Sequence, residues 1–185
     1  SYASQGYAVF PLKPGTKTPL TEHGFKDASK DAEVIRAWWT QHPEANVGIA
    51  TGRVSGIVVL DVDRKHGVDG VVSAAELDLP PTLVIRTPSG GYHLFFKAPP
   101  GAIVPRRIGV RPGLDVLGEG GYVVAAGSFV NGAAYEIVRN REIAECPEVL
   151  INLAGKASQT APPEAAAGKI GAGQRNNYLT SIGEK

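Results

Sequence analysis

Ile57-Val58-Val59-Leu60-Asp61-Val62-Asp63 decides how the rest of the chain is read. Four consecutive apolar residues describe a strand buried on both faces, and its C-terminal end carries two carboxylates one residue apart. Side chains alternate faces along a strand, so Asp61 and Asp63 point the same way while Val62 returns to the core. Two anions on one face invite a hard divalent cation such as Mg²⁺ or Mn²⁺. The alternative at this point is a strand that has ended, leaving its aspartates in solvent.

Working outward, the N-terminal side supplies the last turn of a truncated helix at Ser1 to Gln5, terminated by Gly6 as a left-handed C′ residue, a strand over Tyr7 to Leu12, and an extended loop. That loop holds Lys13 and Lys17 around Pro14-Gly15, either as solvated charges or as an anion contact. Ser29 reads as an N-cap, with Asp31 and Glu33 favoured by the dipole of the helix that follows. Val34, Ile35, Trp38 and Trp39 recur at helical spacing over Ala32 to Gln41, and the two tryptophans read as packing residues. Asn46 to Ala50 forms a strand, which Thr51-Gly52 turns into the organising strand as a possible hairpin.

Beyond Asp63, Val68 to Asp78 has helical character and stops at Pro80-Pro81. Leu83 to Arg86 and Tyr92 to Lys97 are strands joined by Thr87-Pro88-Ser89-Gly90-Gly91, a turn whose glycines let backbone approach a ligand. Pro99 to Pro112 reads as irregular and basic. Leu114 to Leu117, Tyr122 to Ala126 and Ala134 to Val138 complete an antiparallel set, and Cys146 to Leu153 forms a closing helix. From Ala154 to Ala172 the composition shifts to Ala, Gly, Pro, Ser and Lys, as in a flexible tether, and residues 173–185 look like the start of another element.

Composition limits the possible functions. The 185 residues are 43% hydrophobic and 20% charged, enough apolar material for one core. A net charge of +1 excludes a general basic coat for nucleic acid, leaving the local patch Arg106-Arg107-Ile108-Gly109-Val110-Arg111. The single Cys146 excludes an intramolecular disulfide and a cysteine-based zinc site. No apolar run approaches the roughly 20 residues of a membrane span and no signal segment opens the chain, which reads as a soluble intracellular protein. The absence of Met suggests a piece of a longer polypeptide.

Two further residues join the carboxylate pair as candidates. His93 lies in an apolar strand just after the glycine turn, either as a satisfied core residue or within reach of a phosphate oxygen. Asp115, between Leu114 and Val116, is an unusual place for a carboxylate and is explained if it completes a metal site. An EF-hand reading fails because the sixth position from Asp61 is His66 where Gly is needed. A haloacid-dehalogenase-like phosphatase lacks its downstream signals. A nucleotide-sugar glycosyltransferase with an Asp-x-Asp metal site, and a non-catalytic single-stranded nucleic-acid binding module, are the remaining alternatives.

Taken in order, Gly48-Ile49-Ala50-Thr51-Gly52, Leu60-Asp61-Val62-Asp63-Arg64-Lys65-His66-Gly67, Thr87-Pro88-Ser89-Gly90-Gly91-Tyr92-His93 and Gly113-Leu114-Asp115-Val116-Leu117-Gly118-Glu119-Gly120-Gly121-Tyr122 resemble the bifunctional DNA primase/polymerase (prim-pol) domain. That domain belongs to the archaeo-eukaryotic primase superfamily and is common in phage and plasmid replication proteins. Val9-Phe10-Pro11-Leu12, Lys17-Pro19 and the tryptophan helix also fit, while Ala125-Ala126-Gly127-Ser128 departs from the usual proline there.

The resemblance implies an α+β fold with an RRM-like catalytic core and an additional β-rich lobe. A prim-pol catalytic domain over residues 1–153 would be followed by a linker, 154–172, and the start of a helical primase C-terminal region, 173–185. It implies a DNA primase and template-directed DNA polymerase with a two-metal Mg²⁺ or Mn²⁺ site held by Asp61, Asp63 and Asp115. His93 and the Ser89-Gly90-Gly91 turn would contact the triphosphate, and Lys17, Arg86 and Ser128 the nucleotide or template. Implied partners are a single-stranded DNA template and primer, dNTP or NTP substrates, and a fused or associated helicase. The domain is expected to be monomeric, away from membranes, in the cytoplasm of a bacterial or archaeal host.

Overall fold

The computed structural model describes residues 2–65 and 67–155. Ser1, His66 and residues 156–185 lie outside them, so the expected linker and C-terminal region, apart from Ala154 and Gly155, are not described. In chain order the strands are β1 (Val9–Leu12), β2 (Asn46–Ala50), β3 (Ile57–Val62), β4 (Arg64–Lys65), β5 (Val68–Asp69), β6 (Val84–Arg86) and β7 (Tyr92–Lys97). They continue with β8 (Arg107–Arg111), β9 (Leu114–Leu117), β10 (Tyr122–Val124), β11 (Phe129–Val130), β12 (Ala133–Ala134), β13 (Glu136–Arg139) and β14 (Ala144–Glu145). The helices are α1 (Ala32–Gln41), α2 (Gly70–Ala75) and α3 (Glu148–Gly155). The class is mixed helix and mostly antiparallel sheet, as the α+β expectation requires.

The apolar run Ile57–Val62 is central because both of its edges are filled. In the seven-stranded sheet β3 lies between β7 and β9, in the order β13-β6-β7-β3-β9-β8, with β14 running parallel beside the end of β7. One face, formed by Val58, Leu60, Val62, Leu94, Phe96, Leu114 and Val116, packs with Ala74 of α2 and Leu150 and Ala154 of α3. The other, formed by Ile57, Val59, Ile85, Phe95 and Leu117, packs against Val9, Phe10, Ile49, Val123 and Val124 of a three-stranded sheet ordered β1-β2-β10. Strand β3 therefore separates two apolar layers, and its polar residues appear only where the second layer opens.

Several expectations require correction. β2 and β3 are not a hairpin: β2 pairs with β1 and β10, and an isolated bridge between Gly52 and Ile57 is what links the crossing chain. β10 joins β2 and not β9, so the later strands serve different sheets. The strand expected over Ala134 to Val138 is split: β12 pairs with β11 and β13 with β6, leaving Tyr135 at the switch. The stretch expected to be irregular contains β8, disguised by a register shift and by Gly109 at φ +66°. The helix expected from Val68 begins at Gly70, after the small β4–β5 hairpin, and is capped by Asp69, whose carboxylate accepts from the Val71 amide at 3.0 Å.

Helix α1 has the expected bounds but a different cap. Asp31 accepts from the amides of Glu33 at 2.8 Å and Val34 at 3.4 Å, while Ser29 accepts from Asp31 itself. Ile35, Trp38 and Trp39 pack against the second apolar layer, in keeping with the packing role read for the tryptophans. Just before β6, Thr82, fully buried, donates to the Phe95 carbonyl and accepts from the Ala144 amide at 3.0 Å, tying β14 to β7. No helix of the described residues is long and apolar enough to cross a membrane.

Candidate active site

The site follows from the register of β3 with its two neighbours. Asp61 lies directly opposite His93 of β7 on one side and Asp115 of β9 on the other. All three side chains leave the sheet on the face that meets the three-stranded sheet. Asp63, two residues on, shares that face. Its backbone is fixed by two glycines: the Asp63 amide donates to the Gly113 carbonyl at 2.8 Å, and its carbonyl accepts from the Gly70 amide at 2.8 Å. The start of α2 and the turn before β9 are so close here that a Cβ on Gly70 would lie 2.3 Å from the Gly113 oxygen.

Ligand oxygens of the half-buried Asp61, Asp63 and Asp115 lie within 4.8 Å of one another. Asp115 is oriented by the Gly109 amide, which donates to its Oδ1 at 2.7 Å across the β8 bulge. Three carboxylates at this spacing are a hard-oxygen donor set, the kind that suits Mg²⁺ or Mn²⁺ and not zinc or copper. The residues present thus fit a divalent metal site.

His93 is 5% exposed, with Nε2 3.6 Å from Asp61 Oδ1. Burial, and secondarily the positive charge of Lys17, lower its pKa to about 3, against a smaller opposing pull from Asp63. The imidazole is therefore neutral at physiological pH. Beside it lies Tyr135, 1% exposed, with ring centroids 5.7 Å apart. Burial, then the negative charge of Asp61, raises the pKa of the Tyr135 phenol.

These groups line a pocket of about 360 Å³ between the two sheets. Asp61 and Asp115 form one side, and Lys17 and Arg106 bring positive charge to the lining. Lys17 is carried by the loop after β1, which is pinned from two directions. The Tyr122 hydroxyl donates to the Lys17 carbonyl at 3.0 Å, and the buried Asn46 amide donates to the Thr16 carbonyl at 3.0 Å. Tyr122 is itself held between Phe10, edge-on at 5.3 Å, and Phe25, stacked at 6.1 Å. A larger cavity of about 460 Å³, lined by Tyr2, Tyr7, Ile85 and Phe95 among others, shares no lining residue with this one.

Not every residue singled out from the sequence gathers here. Asp61, Asp115, His93 and Lys17 line the pocket, with Asp63 in the carboxylate cluster. Ser89, Gly90 and Gly91 form the turn next to the end of β3, where a Cβ on Gly91 would lie 2.3 Å from the Val62 carbonyl oxygen. In that turn the Gly91 amide donates to Thr87 Oγ1 at 3.1 Å, and the Thr87 and Ser89 hydroxyls are 3.0 Å apart. The turn adjoins the carboxylates without lining the pocket. Arg86 alternates with the buried Ile85 and pairs with Glu136 across β6 and β13. Ser128 is buried and its hydroxyl accepts from the Val47 amide at 3.0 Å, a link between β2 and the turn after β10.

Arg106, Tyr122 and Tyr135 were not among the expected site residues, yet all three line the pocket. Arg106 was visible as part of a basic stretch. Tyr122 follows a glycine-rich turn and was read as a strand residue. Tyr135 gave no local signal, because its position depends on the switch between β12 and β13.

Fold and site together define an α+β protein with a carboxylate cluster suited to a divalent metal beside a pocket that also carries positive charge. Residues 1–149 match the family described as bifunctional DNA primase/polymerase, N-terminal, and the chain belongs to that family. Membership implies nucleotidyltransferase-type DNA primase/polymerase activity, with DNA and nucleotides as substrates. No curated protein compared with the chain matches it significantly.

Proposed function

We propose that this chain is the catalytic domain of a DNA primase and template-directed DNA polymerase, working with Mg²⁺ or Mn²⁺ at a two-metal site. The observation that carries this reading is the placement of Asp61 between His93 and Asp115 at the mouth of a pocket lined by Lys17 and Arg106. Asp61, Asp63 and Asp115 would hold the metals, which when bound activate a primer hydroxyl and neutralise the leaving pyrophosphate. Lys17, His93 and Arg106 bind and orient the triphosphate tail. The neutral imidazole of His93 contributes a hydrogen bond without competing for the metals' charge. Positioning and preorganised charge supply most of the catalytic effect in such a reaction.

In the same reading, the seven-stranded sheet with α2 and α3 is the RRM-like core, and the smaller sheet belongs to the β-rich lobe. The Ser89-Gly90-Gly91 turn closes on the nucleotide beside Asp63. Arg86 and Ser128 have partners elsewhere, which makes them the weakest of the nucleotide contacts the resemblance implies. A helical primase region and a helicase would follow in a phage or plasmid replication protein of a bacterial or archaeal host. Extension of a ready-made primer is less demanding than initiation, because a chain of net charge +1 has little electrostatic hold on single-stranded DNA.

The test is primer extension on a single-stranded template with Mg²⁺ or Mn²⁺, comparing the chain with its Asp61→Ala/Asp63→Ala variant. Template-directed products from the unmodified chain alone are expected, with both proteins folded by circular dichroism. Equal extension by the variant would overturn the assignment.

A further inference from the structure

Two buried polar atoms in the pocket region have no hydrogen-bond partner among the described residues: His93 Nδ1 and the Tyr135 hydroxyl. They belong to neighbouring rings, on side chains that both line the pocket. Each unsatisfied buried polar atom costs stability, and two side by side are rarely retained without something to satisfy them. The fold also brings them together from a distance. His93 comes from the centre of the large sheet, whereas Tyr135 sits where the chain leaves β12 for β13.

We propose that Tyr135 is a substrate-binding residue, its hydroxyl and His93 Nδ1 donating to one non-bridging phosphate oxygen of the incoming nucleoside triphosphate. This rests on the reading of the pocket as a nucleotide site. A tyrosine hydroxyl is un-ionised at neutral pH and donates one hydrogen bond, and a neutral imidazole donates from whichever nitrogen carries the proton. Nε2 faces Asp61 Oδ1 at 3.6 Å, beyond hydrogen-bond distance, so an anionic oxygen within hydrogen-bond distance of Nδ1 selects the tautomer protonated there. Lys17 lines the same pocket and its charge is felt at His93, while Asp61 and Asp63 act on the rings with the opposite sign, so an anion bound between the rings would rely on Lys17 and on a metal neutralising those carboxylates. One phosphate oxygen satisfies both orphaned atoms at once, and the triphosphate is thereby held in a fixed orientation relative to Asp61.

The experiment measures binding to the 185-residue chain, to Tyr135→Phe, to His93→Ala and to the double variant. The probes are a nucleoside triphosphate with Mn²⁺, inorganic tripolyphosphate with Mn²⁺, and the nucleoside alone. Without ligand, Tyr135→Phe should melt at or above the temperature of the unmodified chain, because it removes a hydroxyl that has no protein partner. Its dissociation constants for nucleoside triphosphate and tripolyphosphate should both rise roughly tenfold to a hundredfold, the range for losing a hydrogen bond to a charged group. The double variant should lose less than the product of the two single effects, since both residues hold the same oxygen.

Unchanged affinity for both phosphates in Tyr135→Phe would overturn the inference and leave an internal water as the bridge between the two rings. A loss confined to the nucleoside would also overturn it, by moving the contact to the sugar or base. If the unmodified chain binds neither phosphate, the nucleotide-site reading itself fails, and this inference with it.

Discussion

Replacing His93 by Gln tests the electrostatics of the site through stability alone. The folded pKa is lowered from 6.5 to about 3, chiefly by burial and then by Lys17. Between those values the unfolded chain binds a proton at this residue and the native chain does not, so stability rises with pH across the window and is lost as pH falls. Above pH 6.5 both states are neutral and the histidine adds no dependence. Each pH unit inside the window costs about 1.4 kcal/mol, and integration from pH 7 to pH 5 gives a loss of about 2 kcal/mol. For a chain of this size that lowers Tm by roughly 4–8 °C. The assay is thermal unfolding from pH 7 to pH 5 in the presence of a chelator, comparing the unmodified chain with His93→Gln. The unmodified chain should lose this amount in excess of the variant. A difference between the two that stays flat, or that grows in the opposite direction, would refute the burial argument.

Two other substitutions probe the frame of the site. Gly91→Ala drives a Cβ to within 2.3 Å of the Val62 carbonyl oxygen, a backbone atom that cannot move aside cheaply. Urea unfolding should show a loss of about 1–3 kcal/mol, and an unchanged midpoint would mean that the turn and β3 are not in contact. Asp31→Ala removes both side-chain bonds that begin α1 and should cost about 1 kcal/mol in the same assay, more than Ser29→Ala, whose hydroxyl caps no helical amide. The reverse order would return the cap to Ser29.

What could be read from the sequence was what local chemistry determines. Ala32–Gln41 and Asn46–Ala50 were bounded correctly because periodicity and flanking breakers enclose them, and Leu114–Leu117 because glycines do. The pairing of strands was less legible. Asn46–Ala50 and Ile57–Val62 look like adjacent hairpin arms, but both edges of each are occupied by strands far along the chain. The choice between a hairpin and a crossing depends on those distant partners, and no local spacing records it. β8 was missed for a local reason, since a bulge and a left-handed glycine erase the alternation that would have revealed it.

The carboxylate pair was legible because alternation along one strand places Asp61 and Asp63 on the same face, whatever the rest of the chain does. Asp115 stood out as a carboxylate between apolar neighbours, and the structure supplies the register that joins it to the pair: one residue of β3 faces both His93 and Asp115. The other side of the pocket was less readable because it comes from the connections around the second sheet, where Lys17, Tyr122 and Tyr135 are held by contacts between layers. The site therefore has two origins. Its metal-suited side depends on the alignment of three neighbouring strands in one sheet. Its anion-suited side depends on how the two sheets are stacked, with Asn46 and Tyr122 holding the Lys17 loop in place. Changes in the packing of the small sheet thus act on nucleotide affinity before they reach the carboxylates, because β3, β7 and β9 keep their register through backbone bonds that the small sheet does not supply.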